Sequence, residues 1–208
     1  MAVREDEARA PRRRRTPEAA QKEIIDAAQA LLRERPFREL TVDEVMRRTG
    51  LSRPSFYVYF RDRHDLVLRV VQDLGAEMLE VANRWYEATG EGPALLRDAL
   101  EGAVGVYCDH AAVLRALADA AADDPDVERA YDGMQQGFID ATAQHIQGEI
   151  DAGRILPLDA RETAKALIWM IERYLYHAFA PEQRVPPERV IETLQTVMVR
   201  TLYGARSR

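Results

Sequence analysis

Apolar residues recur at helical spacing along almost the whole chain, and the alternation that strands require is nearly absent. One clear stripe comprises residues that share one face of a helix: Ile24, Ile25, Ala28, Leu31 and Leu32. A second stripe, spaced by three or four residues, belongs to a longer helix: Leu66, Val70, Leu74, Met78 and Val81. The pattern predicts an all-α protein of about nine helices.

Residues that cap or break helices mark the helix boundaries in the first third of the chain. The predicted starts have side chains that accept hydrogen bonds from the free N–H groups of a first turn: Thr16, Thr41, Ser52, and either Asp62 or Asp65. Pro17 follows Thr16 at the first helical position, and Glu44 completes a capping box with Thr41. The predicted stops are Pro36, Gly50 and Phe60.

Longer helices are predicted for the remainder of the chain. A fourth helix runs from about Asp65 to Ala88, and a break follows at residues 89–93. Further helical segments are expected at 93–108, 111–122, 126–152, 159–179 and 187–203. The segments are separated by Asp109-His110 and by the breaks at residues 123–125, 153–157 and 181–187.

Charge is divided unevenly along the chain. The net charge is −6, but residues 1–65 carry 15 Lys+Arg against 12 Asp+Glu, whereas the remaining residues carry 14 against 23. A basic head on an acidic body is typical of a protein that contacts nucleic acid through its head. The N-terminus lacks the apolar core of a signal peptide, no apolar run could span a bilayer, and Cys108 is the only cysteine, so we expect a cytoplasmic protein.

The segment Thr41 to Leu66 carries side chains that a purely structural helix pair does not need. Leu51, Phe56 and Phe60 can face inward, which leaves the polar and aromatic residues between them on the outer surface. Arg53 can offer a fork to guanine, Ser55 can donate to a base edge or a phosphate, and Pro54 and Val58 can contact a thymine methyl. Tyr57, Tyr59 and Arg63 can hold phosphates, which positions the helix without reading sequence.

This segment resembles the DNA-binding domain of TetR-family transcriptional regulators. The family's pattern of a glycine turn, a short recognition helix, Tyr-x-x-Phe and a basic residue is present as Gly50, Leu51, Tyr57 to Phe60, and Arg63. Arg63 stands where the family usually has Lys. Residues 52–60 (SRPSFYVYF) are most similar to one actinobacterial branch of the family, and weaker likeness continues to the closing Tyr203-Gly204.

The resemblance implies a ligand-responsive repressor that binds a palindromic operator as a dimer and is released by a small, largely apolar effector. Three parts are expected: a flexible basic arm at 1–16, a three-helix helix-turn-helix domain at 17–64, and a helical ligand-binding and dimerisation domain at 65–208. The run Arg12 to Arg15 is either a solvated tail or a DNA-contacting arm. The expected DNA-binding residues are Thr41, Ser52, Arg53, Pro54, Ser55, Tyr57, Val58, Tyr59, Arg63, Arg14 and Arg15.

The same resemblance implies a pocket within the helical body. The candidates are large side chains on its middle helices and one acidic residue: Trp85, Tyr86, Tyr107, Tyr131, Met134, Phe138, Trp169, Met170, Glu172 and Tyr176. Each aromatic residue could equally be ordinary core, and Glu172 could instead form a structural ion pair with Arg173. Gln135 and Thr142 could orient a ligand. Ile168 and Ile171 stand where the actinobacterial branch has asparagines, so we expect a drier pocket.

The last two helical segments have broad apolar faces that the resemblance assigns to a dimer interface. These faces comprise Ala166, Leu167, Met170 and Leu175 on one segment, and Val190, Ile191, Leu194, Val197, Met198 and Leu202 on the other. Two such helices could form a four-helix bundle with their mates across a twofold axis. The alternative is an intramolecular core.

No catalytic motif competes with this interpretation. The chain lacks a nucleophile elbow, a glycine-rich phosphate loop and a His-Glu-x-x-His pair, and it contains only four His. His145 and Glu149 lie at i and i+4, but a metal site needs three or four ligands. We therefore expect no cofactor and no enzyme activity. An all-helical small-molecule carrier or enzyme without DNA binding remains the alternative function.

Overall fold

Eight α-helices and one 3₁₀ helix form the regular secondary structure of the described part of the chain. The computed structural model describes residues 16–87, 92–180 and 185–204. The elements are α1 (Pro17–Leu32), a 3₁₀ helix (Phe37–Glu39), α2 (Val42–Thr49), α3 (Arg53–Tyr59), α4 (Arg63–Tyr86), α5 (Gly92–Ala121), α6 (Pro125–Asp151), α7 (Ala160–Ala178) and α8 (Pro187–Leu202). Within these ranges there is no strand, so the all-α prediction is confirmed.

The predicted caps begin the first helices. The hydroxyl of Thr16 accepts the backbone N–H of Ala19 at 3.2 Å, and the hydroxyl of Thr41 accepts that of Glu44 at 3.3 Å. The capping box is only half formed, because the Glu44 carboxylate accepts from the Thr41 hydroxyl at 2.9 Å and from Arg35 rather than from a backbone N–H. Each cap satisfies donors that the first turn of a helix leaves free.

Asp62, not Asp65, is the residue that caps α4. Its carboxylate accepts the backbone N–H groups of His64 and Asp65 at 2.8 and 2.9 Å. The helix therefore starts two residues earlier than the approximate start predicted at Asp65.

The break predicted at Asp109-His110 is wrong, because α5 runs without interruption from Gly92 to Ala121. Asp and His are only moderately poor helix formers, and their cost of a few tenths of a kcal/mol each is small beside the burial of apolar side chains. A buried face continues through the pair, and it comprises Val104, Tyr107, Val113, Leu114 and Leu117. Tertiary burial thus decides the continuity of this helix.

The apolar core is continuous from the N-terminal helices into the body. Side chains from α1 to α3 that are almost completely buried include Ile24, Leu31, Leu40, Val45 and Phe56. The helix α4 contacts α1 on one side and α5 and α6 on the other, so it belongs structurally to both halves. A movement of α4 would therefore displace the helices that it contacts in both halves of the chain.

Most of the apolar residues assigned to a dimer face are instead core residues of one chain. Seven are buried within the chain, as the alternative of an intramolecular core requires: Leu167, Leu175, Val190, Ile191, Leu194, Met198 and Leu202. These side chains pack against neighbouring helices of their own chain and are unavailable to a second copy. Of the predicted set, only Ala166 and Val197 are exposed, and Met170 is half-buried.

Candidate nucleic-acid interface and ligand cavity

A tight turn sets the angle between α2 and α3. The Thr49 hydroxyl donates to the carbonyl of Met46 at 2.9 Å and accepts the N–H of Leu51 at 3.1 Å. Between them, Gly50 adopts a left-handed conformation with φ of 65°, which costs glycine least of all residues. Sequence reasoning identified Gly50 but missed Thr49, because a threonine at a helix end carries no distinctive signal.

The third helix is buried on one face and exposed on the other. Phe56 is completely buried and packs against Phe60, with ring centroids 5.5 Å apart. On the opposite face, Tyr57 is 52% exposed and Val58 is 74% exposed. A seven-residue helix held by a buried aromatic anchor thus presents an aromatic and an apolar side chain to solvent.

The other residues predicted to contact DNA on this helix lie on or next to its exposed face. Ser52, Arg53 and Pro54 are exposed, whereas Ser55 and Tyr59 are half-buried. The two serine hydroxyls lie 2.8 Å apart, so Ser52 bonds to Ser55 and not to the free N–H groups of the helix.

Arg53 is held at the outer surface by two neighbours. Its guanidinium lies 3.2 Å from the carboxylate of Asp43 on α2 and donates to the hydroxyl of Tyr57 at 3.4 Å. The hydrogen bond to Tyr57 and the charge of Asp43 raise the pKa of Arg53, so it remains a cation. Because both contacts are exposed, Arg53 can exchange them for a base edge at little cost.

Arg63 points back into its own domain. It donates to the carbonyls of Arg38 and Leu40, each at 3.3 Å, and its guanidinium lies 4.9 Å from the centre of the Phe37 ring. These contacts attach the start of α4 to the 3₁₀ helix. A phosphate contact by Arg63, which stays a prediction, would have to use its remaining N–H groups. Thr41 is exposed at the start of α2, whereas Arg14 and Arg15 lie outside the described residues.

A cavity lies in the body, and all five helices from α4 to α8 contribute to its wall. The centre of a water-sized sphere can occupy a volume of about 100 Å³ inside the cavity. One water needs roughly 10–15 Å³ by this measure, so the cavity has room for a molecule considerably larger than water. Seven of the predicted pocket residues line it: Trp85, Tyr86, Tyr107, Tyr131, Met134, Phe138 and Glu172, together with Gln135 and Thr142.

Three predicted pocket residues point away from this cavity. The inward face of α7 carries Ile168, Ile171, Glu172 and Leu175, so residues at the intervening positions face elsewhere. Trp169 is 43% exposed, and neither it nor Met170 or Tyr176 lines the cavity. Tyr176 donates its hydroxyl to Asp119 at 2.6 Å and lies beneath the guanidinium of Arg115.

Sequence reasoning missed the aliphatic part of the wall. These residues are Met78, Ala82, Leu96, Ala99, Leu100, Ala103, Leu114, Leu175 and Met198. Their spacing is that of ordinary core residues, so no local signal separates them from the rest. Ile168 and Ile171 line the wall, and most of the surface offered to a ligand is apolar.

Polar groups are concentrated at two places in the cavity wall. The hydroxyls of Tyr86 and Thr142 lie 3.1 Å apart, and Tyr131 donates its hydroxyl to Oε1 of Glu172 at 3.0 Å. Burial, reinforced by the nearby charge of Glu172, raises the pKa of both Tyr131 and Tyr107 well above the usual range of a phenol. These phenols therefore remain protonated hydrogen-bond donors.

An outer groove between α4 and α6 adjoins the cavity. It is lined by small residues such as Gly75, Gly133 and Gly137, and the side chains of Met134 and Phe138 line both the groove and the cavity. These two side chains form a thin partition between them.

His145 and Glu149, which lie at i and i+4 on α6, each contact another group of the protein. Nδ1 of His145 lies 3.1 Å from the carbonyl of Tyr86, and the Glu149 carboxylate accepts a two-pronged hydrogen bond from Arg154.

None of the helices in the described ranges is long and apolar enough to cross a membrane.

Two family models match the chain. Residues 24–70 match "Bacterial regulatory proteins, tetR family", and residues 96–204 match "Transcriptional regulator EthR, C-terminal domain". The first range contains α2, α3 and the start of α4, and the second contains most of the cavity wall.

Curated relatives resemble the chain over nearly its full length. It is 34% identical over 208 aligned residues to the HTH-type transcriptional regulator EthR of Mycobacterium tuberculosis, and the match covers 93% of this chain and 94% of the relative. It is 31% identical to the EthR of Mycolicibacterium smegmatis, with 94% of each covered.

Solved structures show the same fold at low sequence identity. A TetR-family regulator from Syntrophomonas wolfei superposes with a TM-score of 0.79 at 12% identity, covering 89% of this chain and 96% of that one. A TetR-family regulator from Mesorhizobium loti gives 0.72 at 19% identity, covering 91% and 99%.

Proposed function

This chain belongs to the TetR family of bacterial regulatory proteins and is a DNA-binding transcriptional regulator similar to EthR. We propose that it represses transcription as a homodimer bound to a palindromic operator. Repression ends when a small, largely apolar effector enters its cavity. The proposal that α3 binds DNA is supported mainly by the exposure of Val58, which is 74%. The opposite face of this short helix is anchored by the buried Phe56. A helix presented in this way fits the major groove.

The residues proposed to contact DNA divide into two main roles. Arg53, Pro54, Ser55 and Val58 contact base edges, of which Arg53 supplies the bidentate contact to guanine. Tyr57, Tyr59 and Arg63 contact phosphates and fix the register of the helix on the duplex. Further contacts to DNA are proposed for Thr41, Ser52, Arg14 and Arg15. The domain boundaries proposed at residues 16 and 64 place all of these residues before the body.

The homodimer forms through the outer faces of α7 and α8. Trp169 and Val197 are the large apolar side chains that remain exposed on these helices, at 43% and 37%. An exposed tryptophan is a common anchor of protein interfaces. A twofold axis through this face would also supply the two recognition helices that the halves of a palindrome require.

Effector binding shifts the dimer between two arrangements. The cavity wall includes the C-terminal half of α4, whose N-terminal end follows the recognition helix directly. An effector that fits the cavity better when α4 is tilted favours an arrangement in which the two recognition helices no longer match successive grooves. The shift in population is limited by the difference in effector affinity between the two arrangements.

The DNA-binding part is tested by fluorescence anisotropy with the DNA upstream of the chain's own gene. We expect tight binding that weakens with salt, because phosphate contacts release counterions. Val58→Glu should abolish specific binding by placing a negative charge in the groove. Leu156→Glu is the matched control, since Leu156 is a similarly exposed apolar residue between α6 and α7. If Val58→Glu bound the DNA as tightly as Leu156→Glu, α3 would be rejected as the recognition helix, whereas no specific binding by the wild type would favour a carrier without DNA binding.

A further inference from the structure

The only carboxylate that lines the cavity, among the described residues, is that of Glu172. It is 7% exposed and shares the inward face of α7 with the apolar side chains of Ile168, Ile171 and Leu175. A buried carboxylate among apolar neighbours is costly unless its oxygens receive hydrogen bonds. The Glu172 carboxylate therefore requires hydrogen-bond donors close to its oxygens.

The described residues supply only one strong hydrogen bond to this carboxylate. Tyr131 donates to Oε1 at 3.0 Å, whereas Oε2 is buried and receives no hydrogen bond from the described residues. Among the described residues, Nε of Arg173 forms an ion pair with Oε2 at 3.6 Å, which is beyond hydrogen-bond distance. The Arg173 side chain is 61% exposed, and its guanidinium lies 4.9 Å from the centre of the Tyr176 ring, outside the cavity.

The unsatisfied oxygen restricts the chemistry of a partner. An ionised carboxylate only accepts hydrogen bonds and has room for several of them. A ligand carboxylate or phosphate placed beside it would be repelled, whereas a protonated amine would supply both donors and opposite charge. The apolar residues of the cavity, such as Trp85, Leu100 and Phe138, suit the body of the same ligand.

We propose that the effector is an amphiphilic amine, in which an apolar body fills the cavity and a protonated nitrogen donates to Oε2 of Glu172. This assignment rests on the proposed function, since it specifies the chemical class of the effector for that cavity. Tyr131 is the positioning residue, because its hydrogen bond to Oε1 holds the carboxylate in place for the ligand nitrogen.

The test compares three molecules with one apolar body: 4-phenylbutylamine, 4-phenylbutanol and 4-phenylbutyrate. Their affinities for the full-length protein are measured by isothermal titration calorimetry at pH 7. We expect the amine to bind at least about tenfold more tightly than the alcohol, because hydrogen bonds to charged groups are the stronger kind. The carboxylate should bind most weakly. Equal binding of amine and alcohol, or no binding of the amine, would overturn the inference.

Two variants assign the preference to one residue. Glu172→Gln should reduce the preference for the amine over the alcohol to within about threefold, while retained binding of the alcohol reports an intact cavity. Glu162→Gln is the control, because Glu162 lies on the same helix with 65% of its side chain exposed. A preference that survives in Glu172→Gln would also overturn the inference.

DNA binding by the ligand-free protein is measured on the same preparations. If DNA binding is present and the amine preference is absent, the effector class is wrong and the repressor function stands. If the amine preference is present and DNA binding is absent, the repressor function is wrong and the cavity chemistry stands.

Discussion

Nε2 of His64 lies 2.8 Å from a carboxylate oxygen of Asp124, and this hydrogen bond joins the start of α4 to the start of α6. The other oxygen of Asp124 caps α6 by accepting the N–H groups of Asp126 and Val127 at 3.1 and 3.3 Å. Burial opposes ionisation, but the hydrogen bonds from His64 and the two N–H groups outweigh it and lower the pKa of Asp124. The Asp124 carboxylate thus links α4, which follows the recognition helix α3, to α6, which forms part of the cavity wall.

The first prediction concerns the strength of this link. A double-mutant cycle with His64→Ala and Asp124→Ser should give a coupling free energy of about 1.5 kcal/mol in urea unfolding, as expected for one partly exposed hydrogen bond to a charged group. Serine is chosen because it can still cap α6. His177→Ala, at an exposed position on α7, paired with Asp124→Ser should show no coupling. A coupling near zero for the His64 pair would mean that the bond does not hold the helices together.

The second prediction concerns the dimer. Trp169→Glu should weaken dimerisation by about 2 kcal/mol or more, because it replaces an interface anchor by a charge. Static light scattering over a dilution series should then detect the 23.6 kDa monomer at concentrations where the wild type is dimeric. Leu156→Glu introduces the same charge elsewhere and should leave the dimer intact. An unchanged dimer in Trp169→Glu would place the interface on another surface.

The third prediction uses the two tryptophans to locate the cavity. Trp85 lines the cavity and Trp169 does not, so each single-tryptophan variant reports one position. In Trp169→Phe, bromobenzene should quench the remaining Trp85 emission strongly, because a small apolar quencher enters the cavity and approaches the indole. In Trp85→Phe, the same concentration should quench Trp169 only weakly. Similar quenching of the two would show that the cavity does not take up apolar molecules selectively.

The fourth prediction concerns pH. His145 is 6% exposed, its ring centroid lies 4.4 Å from that of Trp85, and burial lowers its pKa below the usual 6.5. The unfolded chain therefore binds a proton at this residue at a higher pH than the folded chain does. The stability from neutral His145 is fully present above about pH 6.5 and is lost as the pH falls through the folded-state value.

A matched variant isolates the contribution of His145. Between pH 7 and pH 5, the free energy of unfolding should fall more in the wild type than in His145→Gln, because only the wild type has this titrating group. Chemical denaturation at each pH gives the two curves, and NMR titration of the imidazole gives its pKa directly. Parallel curves, or an imidazole pKa at or above 6.5, would contradict the prediction.

Local features of the sequence were sufficient for the first third of the chain. The hydroxyls of Thr16 and Thr41 cap helices because they lie within three residues of the N–H groups that they accept. Gly50 ends α2 because the left-handed backbone conformation at this position costs glycine less than any other residue. Buried Phe56 and exposed Val58 are two positions apart, so their separation to opposite faces follows from helical geometry alone.

The body required long-range information. Trp169 and Ile168 are neighbours in sequence and both are apolar, but a step of one residue rotates the side chain by about 100° around the helix. Only the positions of α4, α5 and α6 decide that Ile168 faces the cavity and Trp169 faces outward. The same limit explains why buried Leu194 and Met198 were assigned to a dimer face: an apolar stripe does not state which helix will cover it.

The sequence by itself determined the all-α class, the caps at Thr16 and Thr41, the glycine turn at Gly50, and membership of the TetR family, because each depends on residues that are close along the chain. Only the tertiary structure decided that α5 continues past Asp109, that Glu172 is buried in the cavity wall, and that His64 reaches Asp124 sixty residues away. These outcomes depend on burial and on contacts between distant helices, whose free energies exceed the local preferences of the residues involved.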